Sequence, residues 1–551
     1  MKKKDGEKIF AGLPGIVQEY IKQVLKGMRF HKKAKAETVA ELAAHFEDEL
    51  RECASEEERE KKAEKVIAEF GDAKMLGTLI RRGKKRCRPM WKKVIIWGFQ
   101  TIGVALVCLV LYCIYLAMGK PTISVNYVQK AYELVRPTAD ESLNAALLYQ
   151  KAFGLYIKEP NIAEKKLLNA ISDKNTPTEL TEEELSLMKL WIADNSEALE
   201  MFKQATNKPY CWWKQEAKNN LLFSVALPEL STMRRLANLL CWRGKVAASE
   251  GQIDEAFDDV LTCYRAGIHC KGPRSLTEQI FGIGLEDLAC NTNFLILQAK
   301  EIDSLKLQAF QNEFEKLIAR DTFKINFMVE KFLEYDIIQR YFTDDGKGSG
   351  HYIPGVDHSA LVDSNQLGIA TYIKAMKIGL IVANRSETTE KFDKAYEQIE
   401  KWSKTTPWQR QQANIDTDSE LGLNKKDPLE FWSHPYYYIL MPAIIKVFEF
   451  SYRNKVQANA LVTTIAIIRF KQDKGDYPEI LDKLVEAGYL KELPMDAWSG
   501  KSLVYKKTKD GFTLYSVGQN FKDDGGEVFR DKDGKVKQWG DEGDTVFWPV
   551  E

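Results

Sequence analysis

The sequence predicts a mainly α-helical chain that one transmembrane helix divides into a small bundle and a larger body ending in an α+β head. Three observations predict this fold class. A long uncharged apolar run extends from Val94 to Met118, and helical apolar periodicity dominates on both sides of it. The alternation typical of strands appears only near the C-terminus. With 551 residues, the chain exceeds one ordinary hydrophobic core.

The composition is that of a folded protein without a bulk charge. Hydrophobic residues make up 44% and charged residues 29%, values typical of folded rather than disordered chains. Lys plus Arg and Asp plus Glu both total 79, so the formal net charge is zero. This balance excludes nucleic-acid binding driven by overall charge, and no nucleic-acid partner is expected.

The apolar run Val94–Met118 has the length of a membrane span. A helix rises ~1.5 Å per residue, so this run covers about 37 Å and crosses a hydrocarbon core of roughly 30 Å with some tilt. A buried core helix is the first alternative, but core helices rarely stay uncharged over such a length. A cleaved signal peptide is the second, but the run begins only at residue 94 and lacks a small-residue cleavage site.

The charges beside this run predict its orientation. After it come only Lys120 and then Lys130, whereas a basic cluster without acids precedes it, comprising Arg81, Arg82, Lys84, Lys85, Arg86, Arg88, Lys92 and Lys93. The positive-inside rule therefore places the N-terminus in the cytoplasm and the C-terminal body outside, in a single-pass protein of the inner membrane. The basic cluster is also expected to contact anionic membrane lipid.

These features divide the chain into four segments. They are a cytoplasmic helical domain (1–92), the transmembrane helix (93–118), an extracytoplasmic helical domain (119–455) and a small α+β domain (456–551). In the first segment, apolar residues recur at helical spacing in several short helices, one of which ends at Gly71. Such short helices must pack together to bury their apolar faces.

The first segment resembles a known module. The patterns AELAAHFEDELRE and EKVIAEFGDAKMLGTLI, followed by a basic cluster and an apolar helix, resemble the HAAS domain, although the basic leader is longer here. The resemblance covers residues 14–82 and implies a signalling or regulatory role on the cytoplasmic side of a bacterial membrane. His45 in this pattern is expected to pack on its helix rather than to bind a ligand.

The extracytoplasmic segment contains one helical hairpin with a recognisable pattern. Small residues at Gly244 and Ala247, a turn at Gly251 and an Asp-Glu-Ala helix start resemble one tetratricopeptide unit. No clean repeat surrounds it, so the body is predicted to be a helical bundle or an irregular solenoid that is only partly tetratricopeptide-like.

A loop from Tyr341 to Ser359 combines acids, glycines and histidines. A metal-dependent or catalytic interpretation would use Asp344, Asp345, His351, His358 and His434, but the spacing matches no zinc motif. The alternative is a surface loop in which Asp-Asp-Gly makes a turn. Because nucleophile–base pairs and phosphate-binding glycine signatures are also missing, the sequence favours a non-enzymatic protein over a metal-dependent enzyme.

The cysteines of the extracytoplasmic segment are candidates for oxidation, namely Cys211, Cys241, Cys263, Cys270 and Cys290. Cys241 and Cys263 lie at nearly matched distances on either side of Gly251, so an antiparallel hairpin would bring them level. They are hypothesised to pair in a disulfide, with buried unpaired thiols as the alternative.

The C-terminal segment is predicted to contain antiparallel strands at SLVYKKT, GFTLYSVG and TVFWPV, with Lys-Asp-Gly as the turn between the first two. It resembles the globular head of the type II secretion major pseudopilin, the protein G-like C-terminal domain. The resemblance rests on Tyr477, Pro478, Leu481, Leu484, Tyr489, Leu490, Pro494, Asp496, Ala497, Trp498, Gly500, Tyr505, Tyr515, Ser516, Val517, Gly518, Asp523, Asp524, Gly525 and Gly526. Pseudopilins begin with a leader and an apolar helix, and because the apolar helix here lies far upstream, the resemblance implies a borrowed head rather than a filament subunit.

The same resemblance implies a calcium site, because the corresponding pseudopilin loop binds calcium. The residues that would supply oxygen ligands are Ser516, Asn520, Asp523, Asp524, Asp541 and Asp544. Asn520 stands where the family has its first loop aspartate, and the loop is longer here. The alternative is a solvated acidic turn.

Together these features predict a single-pass envelope protein with a binding, scaffold or signalling role. Unidentified protein partners are expected on both sides of the membrane. Since one helix alone transmits signals poorly, self-association into a homo-oligomer is expected if signals cross. The alternative is an ancillary component of a type II secretion or pilus-like apparatus.

Overall fold

The computed structural model describes residues 10, 12–28, 32–86, 90–137, 140–157, 176–214, 216–299, 301–320, 323–354, 379–424 and 427–550. The chain forms two compact units, Met1–Cys113 and Ile114–Glu551. As predicted, the described residues are mainly helical and contain a small antiparallel sheet.

The first unit begins with a bundle of short helices, which are α1 (Gly15–Gly27), α2 (Lys32–Glu49), α3 (Glu56–Phe70) and α4 (Ala73–Arg86). Val17 and Phe46 are fully buried in its core. Gly71 ends α3 with φ +73°, and its carbonyl accepts a hydrogen bond of 2.9 Å from the Tyr20 hydroxyl. The ring of His45 packs edge-on against Phe70 with centroids 5.3 Å apart.

Helix α5 (Met90–Ala117) follows this bundle. Two helices among the described residues are long and apolar enough to cross a membrane. In Val94–Ala117, which lies within α5, none of the most apolar stretch is buried, whereas 67% of the corresponding stretch in Leu276–Gln298 is buried within the protein. Only the first therefore leaves its apolar surface uncovered. Cys87 and Arg88, beside its basic flank, lie outside the described residues.

The second unit contains the remaining helices. They are α6 (Tyr127–Val135), α7 (Ala146–Leu155), α8 (Glu182–Asp194), α9 (Ser196–Thr206), α10 (Pro228–Ser249), α11 (Ile253–His269), α12 (Leu276–Ala299), α13 (Ser304–Arg320), α14 (Met328–Tyr341), α15 (Arg385–Trp402), α16 (Pro407–Gln412), α17 (Thr417–Glu420), α18 (Pro428–Ser433), α19 (Pro435–Lys474) and α20 (Asp482–Glu486). Short 3₁₀ turns occur at Glu141–Leu143, Pro177–Glu179, Lys218–Asn220 and Leu222–Ser224.

Helices α10, α11 and α12 form the centre of this unit, because each packs against the other two. The turn between α10 and α11 passes through Gly251, whose φ of +88° suits a residue without a side chain. The long helix α19 packs against both α12 and α13, and its second half is buried in the same core. A second cluster of buried aromatic residues lies between α14, α15 and the first half of α19, and includes Tyr341, Phe392, Trp402 and Tyr437.

The predicted strands form a sheet in the order β1 (Val504–Lys507), β2 (Phe512–Ser516) and β3 (Thr545–Trp548). Both pairings are antiparallel, and the register of the first pairs Lys507 with Phe512. Helix α19 crosses the position between residues 455 and 456, and the head residues Trp498 and Phe547 belong to the same buried core as α10–α13. Head and body therefore share one hydrophobic core.

Candidate functional site

The acidic loop of the head begins at Ser516, the last residue of β2. Its hydroxyl donates a hydrogen bond of 2.8 Å to Oδ1 of Asp496, and it accepts one of 3.2 Å from the Gly518 backbone N–H. Both Ser516 and Asp496 are buried. The hydroxyl therefore links the Asp-Ala-Trp segment to the start of the acidic loop.

Asp544 lies at the centre of the loop, immediately before β3. Its side chain is buried, and its carboxylate accepts backbone hydrogen bonds from Asp524 at 3.3 Å and Gly526 at 2.6 Å. Burial raises the pKa of Asp544, and the negative charges of Asp523 and Asp524 act in the same direction. Three carboxylates therefore interact at this position, and ionising Asp544 carries a free-energy cost that a cation would offset.

The other residues of the predicted calcium set divide into two groups. The side-chain amide of Asn520 donates a hydrogen bond of 2.6 Å to Asp524, and Asp523 accepts one of 2.8 Å from the Tyr515 hydroxyl. This hydrogen bond from Tyr515 holds the pKa of Asp523 below its ordinary value. Asp541 is exposed, and its charge acts on Arg453.

In this arrangement the loop is organised by its own backbone. Within the described ranges, no group of three or more His, Cys, Asp or Glu side chains has the geometry to hold a metal ion. The carboxylates instead accept N–H and O–H donors, and Lys506 donates a hydrogen bond of 2.9 Å to the Gly525 carbonyl. The loop therefore concentrates negative charge, but its oxygens would have to turn from these donors to coordinate calcium.

Asp496 is a residue of this loop network that the sequence did not single out as a site. It is 1% exposed, its Oδ1 accepts from Ser516 and from the Trp498 backbone, and its Oδ2 has no hydrogen-bond partner among the described residues. Burial raises the pKa of Asp496. An acidic residue between Met495 and the apolar pair Ala497 and Trp498 was the available signal, but sequence spacing alone does not show that it faces Ser516.

The second predicted site, the loop after α14, forms a short hairpin. Its strands are joined by a hydrogen bond of 2.9 Å from the Thr343 N–H to the His351 carbonyl. Asp344 accepts from the Gly346 N–H at 2.9 Å and forms an ion pair of 2.7 Å with Arg385. Asp345 accepts backbone hydrogen bonds that lower its pKa. Asp-Asp-Gly is therefore a turn whose acids have local partners.

The described histidines of the metal interpretation, His351 and His434, also have local partners. The ring of His351 packs against Tyr115 with centroids 4.4 Å apart, and burial lowers its pKa. Nδ1 of His434 lies 2.9 Å from the Ser433 hydroxyl, and burial lowers the pKa of His434 too. His358 lies outside the described residues. His351 therefore packs against an aromatic ring, and His434 contacts the hydroxyl of its neighbour.

The last residues of α5, from Ile114 onward, belong to the second unit and pack within it. Leu116 is fully buried, and a side chain at Gly119 would come within 2.9 Å of His351. A few residues later, the backbone N–H and carbonyl of Val125 form hydrogen bonds of 3.2 and 2.7 Å with the side-chain amide of Gln339. Leu116, Gly119 and Val125 therefore all have packing or hydrogen-bond contacts within the second unit.

The body also contains surface cavities. One of about 350 Å³ lies beside α10 and α12, and Lys245, Ser249, Leu295 and Glu301 contribute to its lining. Burial lowers the pKa of Lys245 to about 8. The lining combines apolar side chains with few charges, as in small-molecule sites, but no convergent set of catalytic groups accompanies it among the described residues.

The chain was also compared with known proteins. It matches none of the protein-family models, curated proteins or solved structures with which it was compared.

Proposed function

We propose that the chain is a single-pass protein of a bacterial inner membrane that acts by binding other proteins rather than by catalysis. Its N-terminal bundle would bind a partner or anionic lipid in the cytoplasm, and its body and head would bind a partner outside. The observation that carries this proposal is the uncovered apolar surface of Val94–Ala117, which lies directly beside the basic cluster of the sequence.

The exposure of individual side chains supports the membrane assignment. Phe99, Val104 and Leu111 are 73%, 63% and 60% exposed, which is costly in water and favourable in lipid.

A charge-insertion experiment tests membrane anchoring. The double variant Leu106→Lys and Val110→Lys should move the full chain from the carbonate-washed membrane pellet to the soluble fraction, because each central lysine costs about 2.5–3.5 kcal/mol on insertion. Leu305→Lys is the matched control, since Leu305 is 73% exposed on α13 and should not affect partitioning. Retention of the double variant in the pellet would contradict the assignment.

We also propose that the acidic loop binds calcium, using Asp523, Asp524 and Asp544 with Ser516, Asn520 or Asp541 as further oxygen donors. The raised pKa of Asp544, caused first by its burial, supports this proposal, because a bound cation would relieve the cost of its charge. The pseudopilin-like order of the surrounding residues supports it as well.

The calcium proposal is tested on the full chain, because the head shares its core with the body. Millimolar calcium should raise the melting temperature of the detergent-solubilised protein, whereas magnesium should have little effect. Asp523→Asn and Asp544→Asn should abolish the shift, and Asp510→Asn, in the exposed β-turn, should preserve it. An unchanged melting temperature in the unsubstituted protein would remove the calcium site.

A second candidate is an ancillary role in a type II secretion or pilus-like apparatus. The antiparallel sheet and the acidic loop of the head favour it, since these are the parts that resemble the pseudopilin head. Packing of α19 against α12 and α13 argues against a filament subunit, because that helix is already occupied within the chain. Crosslinking in membranes followed by mass spectrometry distinguishes the candidates, since only the second predicts pseudopilin-like proteins among the products.

A further inference from the structure

The hairpin of α10 and α11 has a register that its contacts define. A side chain at Gly244 would lie 3.3 Å from the Ala256 carbonyl and 3.4 Å from the Cβ of Asp259. One residue before Gly244, Nε of Arg243 donates a hydrogen bond of 2.9 Å to Asp259. In antiparallel helices, a step of one turn back along α10 corresponds to one turn forward along α11.

That step brings two cysteines level with each other. Cys241 lies about one turn before Gly244, and Cys263 lies one turn after Asp259. The two thiols interact with each other, and Cys241 also interacts with Thr292. Cys263 donates a hydrogen bond of 3.4 Å to the Leu285 carbonyl. Both are free thiols in the structure, and both are almost completely buried.

We propose that Cys241 and Cys263 are joined by a disulfide in the mature protein and that this bond links helix α10 covalently to helix α11. The proposal rests on the proposed extracytoplasmic location of the body, because disulfides persist in oxidising compartments. The oxidant is a dithiol–disulfide exchange partner of that compartment. The bond would have to form before the hairpin is buried, since neither sulfur is accessible in the folded chain.

The exchange reaction balances in two steps. The thiolate of one cysteine attacks the oxidant's disulfide, forming a mixed disulfide and releasing one sulfur of the oxidant as a thiol. The second cysteine then attacks its partner's sulfur in the mixed disulfide, closing the intramolecular bond and releasing the oxidant's other sulfur as a thiol. Two electrons and two protons pass from the cysteines to the oxidant.

Peptide mapping tests the bond in the full chain. Cells are lysed directly in a denaturant that contains N-ethylmaleimide, so that buried thiols are also alkylated, and the purified protein is digested with trypsin without reductant. Cleavage after Arg243 and Lys245 separates the two cysteines, so the bond would join Leu236–Arg243 to Val246–Arg265. We expect this linked pair in the unreduced digest and the two separate peptides after reduction. Recovery of both peptides carrying N-ethylmaleimide would overturn the proposal.

Two control variants define the partner and separate this inference from the topology. Cys290 on α12 is the competing partner of Cys263, and a link from Val246–Arg265 to Ser275–Lys300 would refute the pairing. Cys290→Ser and Cys270→Ser should both preserve the expected link. Exposing the purified reduced chain to a small-molecule disulfide during refolding must also produce it. If the bond does not form during this refolding, the proposed pairing geometry is wrong. If the bond forms during refolding but is missing from the protein isolated from cells, the oxidising location is wrong, and so is the disulfide in the mature protein.

Discussion

The imidazole ring of His351 lies against the phenol ring of Tyr115, with ring centroids 4.4 Å apart. Tyr115 belongs to the last turn of α5, and His351 belongs to the hairpin that follows α14. This hairpin, which carries acidic and histidine side chains, therefore packs against the last turn of α5. In the structure, the ring of His351 packs against an aromatic ring.

Replacing Leu116 by alanine should lower the stability of the second unit. Leu116→Ala removes a fully buried side chain, and such changes cost about 2–5 kcal/mol. We expect a melting temperature several degrees lower for the detergent-solubilised chain, measured by the loss of near-ultraviolet circular dichroism. Leu111→Ala is the matched control, because the side chain of Leu111 is 60% exposed and is not part of a buried core. Equal melting temperatures for the two variants would contradict the burial of Leu116 within the second unit.

The close approach of Gly500 in the head to Trp408 in the body should make a side chain at position 500 destabilising. Its φ is +66°, and a side chain there would come within 2.5 Å of the Trp408 ring on α16. Gly500→Ala should therefore destabilise the protein by about 1–3 kcal/mol, measured by urea denaturation. Gly511→Ala, whose nearest neighbour would be Thr508 at 3.7 Å, should cost less. Adding Trp408→Ala should relieve the steric part of the Gly500→Ala effect but retain the backbone strain.

The buried histidine of α11 should make stability depend on pH. Burial lowers the pKa of His269 to about 4, and its Nδ1 and Nε2 lie 3.0 Å from the Tyr149 hydroxyl and 2.9 Å from the Lys208 carbonyl. Because the unfolded imidazole binds a proton at higher pH than the folded one, stability falls as the pH drops from about 6.5 to 4. The loss should approach about 3 kcal/mol.

Denaturation of the unsubstituted chain and of His269→Gln across that pH range checks this prediction. Other groups contribute equally to both proteins, so the difference isolates His269. The His269→Gln curve should be flatter by the stated amount. Parallel curves would show that His269 is not buried as the neutral form.

Removing only one partner of the ion pair between α10 and α11 should lower the stability of the protein strongly. Asp259 is fully buried and its hydrogen bonds come from Arg243, while burial raises the pKa of Asp259 to about 6. Arg243→Met should cost about 3–5 kcal/mol at neutral pH, because it leaves an unpaired carboxylate in the core. Adding Asp259→Leu should recover most of this loss in thermal melting. A mild effect of Arg243→Met alone would mean that Asp259 is accessible to water.

The sequence predicted the parts of the fold that local chemistry determines. The helices around Gly71 and Gly251 follow from apolar periodicity and glycine turns, and the three strands follow from alternation beside Lys-Asp-Gly. What periodicity cannot show is which elements share a core. The burial of the second apolar helix, Leu276–Gln298, and the single core of head and body both depend on contacts distant in sequence.

The candidate sites were predictable to a smaller extent. The interaction of Asp523, Asp524 and Asp544 follows from the order of residues in a loop that returns to the sheet, whereas Asp541 acts on Arg453 instead. The role of Asp496 required knowing that the Asp-Ala-Trp segment packs beside β2. For His351, only the structure supplies the ring of Tyr115, because more than two hundred residues separate the two in sequence.

The accessibility of the two termini to protease reveals the topology of the chain in the membrane. An epitope tag is placed after Glu551 in one version and before Met1 in another, and intact spheroplasts are treated with external protease. We expect the C-terminal tag to be removed in intact spheroplasts and the N-terminal tag to be lost only after detergent is added. Protection of the C-terminal tag in intact spheroplasts, with digestion after lysis, would refute the proposed membrane topology.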